Sequence, residues 1–445
     1  MPPDILLVNP WIFDFAAYDF WMAPLGLLDI AAVVRNSVSA RLHFIDCLDR
    51  THASLRRRPQ IKDDGRGPFP KVEVPKPVMF KDVPRRFSRY GISPDAFAAE
   101  LARLPPPAVV LLTCTMTYWY PGVQLAVEII RRTFGGVPVV LGGIYATLCG
   151  EHARRNSGAD RIIAGPGENS VLPLLREILG GGAVREAPRR SFRDLPRSAF
   201  DLLADRRWLP VMSSRGCPFR CSFCASHRLS GGFEERDPVG VVAEIEEARL
   251  HFGTRHFAFY DDALLLNKTT RLMPILETAV RRGLDAVFHT PNGLHVREID
   301  DAIARLFRRA GVQSIFLSQE STDPAVIASS CPKMEDGDLG RAVLALERAG
   351  YAPRDLNVYL IAGLPDQTAS GIRADLRYVR RLGCRPRLAY FSPIPGTAVW
   401  DDLVRAGKIA SDADPLLHNK AAFPFIAGTI DPREWESLRR EAAAD

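Results

Sequence analysis

The chain has 445 residues, of which 47% are hydrophobic and 25% are charged, and its formal net charge is +6. This composition is that of an ordinary globular protein with two or three domains, and so small a positive charge does not indicate a nucleic-acid-binding protein. The amino terminus lacks the pattern of a secretory signal, and no run of about 18 apolar residues could span a membrane. We therefore expect a cytoplasmic protein whose eight cysteines do not form a disulfide framework.

In the first 180 residues, apolar runs alternate with helical patterns. The predicted strands are 4–10, 41–47, 108–115, 138–143 and 161–166. The predicted helices are 24–35, 123–134 and 168–179. Strands that alternate with helices predict a doubly wound, Rossmann-like α/β domain over residues 1–181.

Two stretches interrupt the regular pattern. Residues 50 to about 94 are rich in Arg, Lys and Pro and show no clean period, so they are either a solvated surface insertion or a lid over a ligand. Residues 182–207 are rich in Gly, then in Arg and Pro, which is typical of a linker between domains.

After this linker the alternation of strands and helices begins again. The predicted strands are 208–214, 256–262, 286–292, 314–321, 357–363 and 387–393. The helical patterns between them are 239–252, 269–283, 300–311, 338–350 and 371–383. Six strands and five linking helices predict a partial parallel (β/α)6 barrel over residues 208–405, short of the eight strands of a closed barrel. Residues 406–445 are predicted to form a short C-terminal extension.

Three cysteines lie together just after the first barrel strand. Cys217, Cys221 and Cys224 have the spacing C-x3-C-x2-C, and loops at this end of a barrel strand are where catalytic residues lie. Three thiolates can hold three irons of a 4Fe–4S cluster and leave the fourth iron open. The alternative is a structural zinc site with His227 as the fourth ligand.

The sequence GCPFRCSFC, with Phe223 just before the last cysteine, resembles the signature loop of the radical S-adenosylmethionine (SAM) superfamily. The resemblance extends through the whole barrel. It implies that the amino and carboxylate groups of SAM bind the open iron. One electron, from an external donor such as flavodoxin or ferredoxin, then cleaves a C–S bond and releases a 5′-deoxyadenosyl radical. The protein orients the reacting groups and excludes water.

The resemblance also implies SAM contacts at the carboxyl ends of the later strands. These residues are Tyr260, Asp261, Asp262, Asn292, Glu320, Ser321, Gly363, Ser392, Ile394 and Pro395. Family members hold the SAM amino group in a turn after the second strand, where the carboxylate of Asp261 or Asp262 suits an ammonium group. Alternatively, either aspartate caps the next helix.

Other barrel residues receive less definite roles. His289 and His295 either face the cavity or are structural histidines of the barrel. Glu320 and Ser321 resemble the polar pair that contacts the ribose or methionine part of SAM in relatives. Gly363 would let the backbone approach adenine, and residues 392–397 form another turn near it.

The first domain resembles the cobalamin-binding domain that precedes many radical SAM barrels. The matching segments are VNP (8–10), PLGLLDIAA (24–32), LGGIYAT (141–147) and GPGEN (165–169). Ligands of an open α/β sheet lie beyond the carboxyl ends of its strands. The candidate cofactor-binding residues at these ends are Thr115, Gly142, Gly143, Gly165 and Gly167.

The cobalamin-domain pattern is incomplete. No D-x-H-x-x-G motif is present to supply a histidine to cobalt, so the resemblance leaves bound cobalamin open. Tyr118, Trp119 and Tyr120 either stack on a corrin ring or fill the space where it would lie. Nearby, Cys114 and Cys149 either meet a soft substrate atom or pack in the core.

The remaining thiols, Cys47, Cys331 and Cys384, are interpreted as ordinary ones. A methylthiotransferase is disfavoured, because the cysteines of the first domain are unevenly spaced and no small β-domain follows the barrel.

Taken with the resemblance, the sequence predicts a radical SAM enzyme acting on a small molecule, with cobalamin-dependent methyl transfer as the leading hypothesis. One alternative is a cobalamin-independent reaction, such as 3-amino-3-carboxypropyl transfer or a rearrangement. An alternative of another class is a non-catalytic ligand or metal sensor. The sequence does not identify the substrate, and neither a membrane nor a nucleic-acid partner is expected.

Overall fold

The computed structural model describes residues 2–185, 188–330, 334–335, 337–365, 367–424 and 430–443. The chain divides into two compact units. The first comprises Met1–Arg206, Arg228–Gly231 and Ala410–Asn419, and the second comprises Arg207–His227, Gly232–Ile409 and Lys420–Asp445. No helix among the described residues is both long enough and apolar enough to cross a membrane. Cys331, predicted to be an ordinary thiol, lies outside the described residues.

The first unit contains a five-stranded parallel sheet. In chain order its strands are Asp4–Asn9, Arg41–Asp46, Val109–Cys114, Val139–Gly143 and Arg161–Ile162. Asp4–Asn9 lies between Arg41–Asp46 and Val109–Cys114, so the strand order reverses beside the first strand, as in doubly wound folds. Every residue of Asp4–Asn9 and Val109–Cys114 is buried, which explains why both read as continuous apolar runs. The predicted Rossmann-like fold is confirmed.

Helices pack against the sheet of the first unit. They are Leu25–Ser37, Pro94–Ala102, Tyr120–Phe134, Ile144–Leu148, Gly150–Asn156 and Val171–Leu179. Short 3-10 turns occur at Val78–Phe80, Thr117–Trp119, Gly167–Asn169, Gly181–Ala183, Phe192–Asp194 and Phe200–Leu202. Local sequence sets several boundaries. For example, Ser93 accepts a hydrogen bond from the Ala96 N–H, and Pro94 occupies the first helical position.

The insertion at 50–94 is a packed β layer. Its strands Lys71–Glu73 and Ser88–Tyr90 form an antiparallel sheet with Ile12–Asp14. A two-residue pairing joins Gly67–Pro68 to Tyr18–Asp19. The ring of Phe15 lies 5.1 Å from that of Phe80 and 5.2 Å from that of Phe87. Strands of two or three residues are too short to show a period in sequence, and a lid function for this layer stays a prediction.

Residues 182–206 belong to the first unit, which corrects the prediction of a linker. Val184 pairs with Val38, and the buried side chains of Phe192 and Phe200 anchor the segment. Gly, Arg and Pro therefore mark irregular backbone here, but this backbone lies on the domain.

The second unit contains a six-stranded parallel sheet whose spatial order follows the chain. Its first to sixth strands are Trp208–Val211, His256–Phe259, Val287–His295, Val312–Glu320, Asn357–Ala362 and Arg385–Tyr390. The helices that link them are Pro238–Phe252, Leu272–Arg281, Asp301–Arg309, Asp338–Arg348 and Ala369–Arg381. Further elements of this unit are helices Pro324–Ser330 and Ala398–Arg405, 3-10 turns Val296–Glu298 and Pro353–Asp355, and the antiparallel pair Ser214–Arg215 with Glu234–Glu235. The short helix Ser226–Ser230 begins in this unit, and its residues from Arg228 on are assigned to the first unit. The predicted partial barrel is confirmed.

The C-terminal extension is divided between the two units, which corrects the prediction of a single short tail. Residues Ala410–Asn419, with the 3-10 turn Pro415–His418, belong to the first unit. Helix Pro432–Ala443 belongs to the second unit, where Arg373 forms ion pairs with Glu434 and Glu441.

Candidate active site

The cysteine loop follows the first barrel strand and contains a tight turn. The Cys224 N–H donates a hydrogen bond to the Cys221 carbonyl at 3.0 Å, which places two of the thiol-bearing residues on one turn. Gly216, directly before Cys217, has φ +84°, a conformation that favours glycine. Cys221 is buried, and Cys217 and Cys224 are partly exposed.

Apolar side chains pack around Cys221 and Cys224. Cys221 packs with Met334, and Phe219, Phe223 and Ile327 pack against the same cluster. Within the described part of the chain, no three or more His, Cys, Asp or Glu side chains are already arranged to hold a metal ion. Cluster ligation by Cys217, Cys221 and Cys224 therefore stays a prediction, which their spacing, the shared turn and the apolar surroundings of the loop support. His227 lies half-buried on the short helix Ser226–Ser230.

The structure separates the roles of Asp261 and Asp262. Asp261 is 1% exposed, and its carboxylate accepts hydrogen bonds from both the N–H and the hydroxyl of Ser213 and of Ser214. Asp261 also forms an ion pair with Arg271 at 3.1 Å. These five donors saturate its carboxylate, so Asp261 holds the loop together and is not the exposed carboxylate that the sequence left open.

Asp262 remains exposed beside the cysteine loop. Its carboxylate accepts hydrogen bonds from the Gly216 N–H at 3.2 Å and from the Ser226 side chain. Gly216 precedes Cys217 and Ser226 follows Cys224, so one carboxylate holds both ends of the loop. The surrounding protein raises the pKa of Asp262 by withdrawing water from the carboxylate, although the two hydrogen bonds act to lower it.

Arg271, which the sequence analysis missed, fixes the turn that carries both aspartates. Its side chain is 2% exposed and binds Asp261, Glu235 and the hydroxyl of Ser213. It also donates to three carbonyl oxygens of that turn, those of Ala263, Leu264 and Leu266.

Asn292 joins the ends of the second and third barrel strands. Its side-chain amide donates to the carbonyl oxygens of Tyr260 at 3.0 Å and Asp261 at 3.2 Å. Asn292 is itself exposed, so it lies at the mouth of the barrel and orients the turn that ends in Asp262.

Glu320 and Ser321, predicted as a pair, have different surroundings. Glu320 is partly exposed and has φ +58°, an unusual conformation for a residue other than glycine. Ser321 is 1% exposed, and its hydroxyl donates to the buried carboxylate of Asp375 at 3.0 Å. Ser321 therefore binds within the protein, and its predicted contact with SAM stays a prediction. Burial raises the pKa of Asp375, partly offset by hydrogen bonds from Thr322 and Ser321.

The open space beside Gly363 is occupied by the chain itself. A Cβ atom at this residue, which has φ +98°, would lie 3.4 Å from the ring of Trp435 in the C-terminal helix. The Gly363 N–H donates to the side chain of Gln367. The absence of a side chain at Gly363 thus serves packing against Trp435, and the approach of adenine to this residue stays a prediction.

The turn at 392–397 lies against the cysteine loop. Ser392, Ile394 and Pro395 are partly exposed, and Thr397 caps the following helix by accepting the Trp400 N–H. The Val399 N–H donates to the Ser222 carbonyl within the cysteine loop at 3.1 Å. The loops after the first and sixth strands are therefore in contact.

The two barrel histidines are structural. His289 is 1% exposed, with hydrogen bonds to the His256 ring and the Ser314 hydroxyl, both at 3.0 Å. His295 is buried, and its ring lies 5.0 Å from that of Phe219.

At the carboxyl edge of the first sheet, two of the predicted glycines face open space. A Cβ at Gly142 would meet no atom closer than 3.9 Å, and one at Gly165 would meet none within 4 Å. At Gly143 a Cβ would lie 2.7 Å from the Cys114 carbonyl, and at Gly167 it would lie 3.1 Å from Ile30. Gly142 and Gly165 thus fit a cofactor tail that approaches the backbone, whereas the protein itself requires glycine at 143. Thr115, also predicted here, is partly exposed.

The aromatic residues at this edge are part of the core. Tyr118, Trp119 and Tyr120 are 1%, 9% and 7% exposed. The Trp119 ring N–H donates to Asp14 at 2.9 Å, and the Tyr120 hydroxyl donates to Asp414 at 3.0 Å. Of the two hypotheses, the burial of these side chains favours filling of space.

The thiols of this edge also pack in the protein. Cys114 is 3% exposed and donates to the Met116 carbonyl at 3.1 Å. Burial raises the pKa of both Cys114 and Cys149 to about 12, so both thiols remain protonated at neutral pH.

The match to a protein family coincides with the barrel. Residues 211–379 match the model of the radical SAM superfamily. This part of the chain is similar to the radical SAM superfamily. The matched range begins at the last residue of the first barrel strand and includes the cysteine loop and Asp262, Asn292 and Glu320.

Curated relatives resemble this chain at low identity. An uncharacterized methyltransferase of Pyrococcus horikoshii is 26% identical over 346 residues, which cover 70% of this chain and 73% of that protein. The anaerobic magnesium-protoporphyrin IX monomethyl ester cyclase of Cereibacter sphaeroides is 25% identical over 266 residues, 52% of this chain and 42% of that protein. The chain thus spans less than half of the cyclase.

Among solved structures, the radical SAM methyltransferase TsrM from Kitasatospora setae shares the fold. It has a TM-score of 0.66 and 16% sequence identity, and the match covers 91% of this chain and 76% of TsrM. That structure contains tryptophan and a SAM analogue, and a second TsrM structure contains cobalamin and a 4Fe–4S cluster. This likeness shows that the chain shares the fold of TsrM.

Proposed function

We propose that the protein is a cobalamin-dependent radical SAM methyltransferase that acts on a small molecule. The observation that carries the proposal is the cysteine loop held at both ends by Asp262, at the carboxyl end of a barrel in a chain with the fold of TsrM. The relatives support methyl transfer, since one is an uncharacterized methyltransferase and TsrM is a radical SAM methyltransferase.

When bound, a 4Fe–4S cluster would supply an electron to SAM, and cobalamin would supply a methyl carrier. Cys217, Cys221 and Cys224 would hold the cluster as thiolates. Asp262 offers a carboxylate beside that loop, which suits the ammonium group of SAM. Phe219 and Phe223 pack in the apolar cluster of Cys221 and help to exclude water there.

The partners follow from this chemistry. The substrate is a small molecule, as the tryptophan bound in TsrM and the porphyrin ester of the cyclase relatives suggest. The electron comes from an external carrier such as flavodoxin or ferredoxin, and we place the protein in the cytoplasm, where such carriers are found reduced.

One observation favours a second candidate, a radical SAM reaction without cobalamin. Tyr118, Trp119 and Tyr120 are buried at the edge where a corrin is expected. Such an enzyme would transfer the 3-amino-3-carboxypropyl group of SAM or rearrange its substrate.

Anaerobic reconstitution with iron, sulfide and cobalamin distinguishes these functions. We expect brown protein that retains corrin absorbance after gel filtration and converts SAM to S-adenosylhomocysteine and 5′-deoxyadenosine. Cluster without corrin, with methylthioadenosine as the SAM product, would replace the proposal by aminocarboxypropyl transfer. Colourless protein that binds zinc would favour a metal sensor.

A further inference from the structure

The backbone of Glu320 is held in a conformation that its side chain disfavours. Glu320 is the last residue of the fourth barrel strand and has φ +58°. The pairing of this strand with the fifth shifts between Ser318 and Glu320. A residue other than glycine keeps such a conformation only where its surroundings impose it, and these residues are concentrated at functional sites.

The residues on either side of Glu320 are tied together. The Gln319 side chain donates to the Ser321 carbonyl at 2.9 Å, and the Ser321 N–H donates to the Gln319 carbonyl at 2.7 Å. These two bonds close the chain around Glu320. Gln319 and Ser321 are both buried, whereas Glu320 between them is partly exposed.

One buried carboxylate anchors the segment that follows. Asp375, on helix Ala369–Arg381, is 2% exposed. It accepts hydrogen bonds from the Ser321 hydroxyl at 3.0 Å, the Thr322 N–H at 2.6 Å and the Thr322 hydroxyl at 2.5 Å. All three donors are neutral groups of the two residues directly after Glu320. The carboxylate therefore fixes the path by which the chain leaves the strand.

We propose that Asp375 is the positioning residue of Glu320. By holding Ser321 and Thr322, its carboxylate maintains the left-handed backbone that presents Glu320 at the mouth of the barrel. The proposal rests on the proposed function in one respect, that Glu320 serves SAM. It explains why a carboxylate occupies the buried side of a helix, where an apolar residue would otherwise lie.

The coupling is tested first by stability, using the reconstituted full-length chain. Glu320→Gly removes the conformational strain, because glycine adopts positive φ readily. If Asp375 maintains the strain, Asp375→Ala should lower the melting temperature more in the Glu320→Gly background than with Glu320 present, because relief of the strain offsets part of the loss only when Glu320 is present. Equal falls in both backgrounds would overturn the proposal, whether or not the protein has the proposed activity.

The second measurement is the dissociation constant of SAM, determined anaerobically with the cluster in place. We expect Asp375→Ala to weaken SAM binding about tenfold and to add nothing in a Glu320→Ala background. Asp375→Asn should restore most of the affinity, since its amide can still accept from Thr322 and can donate to Ser321. An Asp375→Ala effect that persists without the Glu320 side chain would overturn the proposal.

Tyr351→Phe is the matched control. It removes a buried hydrogen bond to the Val312 carbonyl at the other end of the same strand, 2.8 Å long. This variant should lower the melting temperature and leave SAM affinity unchanged.

Failure of wild-type protein to cleave SAM would refute the proposed function alone, because the stability cycle does not depend on activity. Loss of SAM affinity in Tyr351→Phe equal to that in Asp375→Ala would assign the effect to general destabilisation and overturn the positioning role.

Discussion

The carboxyl ends of the two sheets are built differently. At the barrel, buried aspartates bind loop hydroxyls and N–H groups, while Asp262 and Asn292 remain exposed and Glu320 partly so. At the first sheet, the polar groups of Asp14, Thr117 and Tyr120 bind other side chains of the same unit. What remains open there is backbone space at Gly142 and Gly165.

This difference indicates how the two ends can function. The barrel end presents charged and amide side chains held by a buried network, which suits a polar ligand and reacting groups. The end of the first sheet can offer close approach of backbone, which suits the tail of a cofactor. Each of the following predictions compares two matched residues, either between the two sheets or within one of them.

The largest expected difference lies between two buried cysteines. Cys221→Ala should abolish the 4Fe–4S cluster and all SAM cleavage, because two thiolates leave the cluster without its third ligand. Cys114→Ala should keep both and cost about 1 kcal/mol of stability. Iron content, absorbance near 400 nm and 5′-deoxyadenosine formation measure this contrast. If Cys114→Ala loses the cluster and Cys221→Ala keeps it, the roles assigned to the two ends are wrong.

The next effect concerns the arginine that anchors the turn after the second strand. Arg271→Met leaves the buried carboxylate of Asp261 without its cation and should destabilise the protein by about 3–5 kcal/mol. Adding Asp261→Asn should recover part of this loss, because it removes the uncompensated charge.

A second arginine, in the helix that follows Arg271, is the control for this substitution. Arg281 is exposed and bonds only to Thr278 among the contacts described, so Arg281→Met should change stability by no more than about 0.5 kcal/mol. Thermal unfolding compares the variants. Equal losses for Arg271→Met and Arg281→Met would contradict the anchoring role of the buried network.

Two adjacent glycines sharpen the comparison at the first sheet. Gly143→Ala places a Cβ against the Cys114 backbone at φ +90°, so it should destabilise the protein by about 1–3 kcal/mol. Gly142→Ala has room for its Cβ and should leave stability nearly unchanged. If cobalamin approaches this edge, Gly142→Ala should still lower corrin retention after reconstitution. Corrin retention equal to that of wild-type protein would exclude Gly142 from the cofactor site.

Much of the fold could be predicted because buried parallel strands and amphipathic helices leave periodic apolar patterns in the sequence. The insertion and the C-terminal extension could not. Strands of two or three residues show no period, and Asn419 bonds to Asp14, 405 residues away. Such contacts depend on the finished tertiary structure, which local patterns do not encode.

The site was predictable in its positions and less so in its roles. Strand ends identified Asp262, Asn292 and Glu320, but the sequence could not separate Asp261 from Asp262, because that difference depends on the burial of Arg271.

Asp375 did leave a signal in the sequence pattern of its helix. It falls on the apolar stripe of its helix, between Ile372 and Val379, and a charged residue on a buried stripe indicates a specific partner.

The smallest effect compares the two ends of one strand pair in the first sheet. Asp46, which accepts hydrogen bonds from Asn9 and Leu48 at the carboxyl end, has its pKa raised by burial from 3.8 to about 7. Because the folded state prefers the protonated form, its stabilising contribution is complete below about pH 4 and is lost as pH rises through 7. At the amino end, hydrogen bonds from Arg41 and His43 lower the pKa of Asp4, so its contribution is present above pH 4 and is lost on acidification.

The difference in unfolding free energy between Asp46→Asn and wild-type protein should therefore favour the variant more at pH 8 than at pH 5, by about 1 kcal/mol. Asp4→Asn should destabilise it at pH 8 and have less effect near pH 3. Denaturant unfolding at these pH values measures both variants. The opposite signs follow from what surrounds each carboxylate, two neutral donors for Asp46 and cationic partners for Asp4. Equal pH dependence in the two variants would show that burial and pairing are not what distinguishes the two ends.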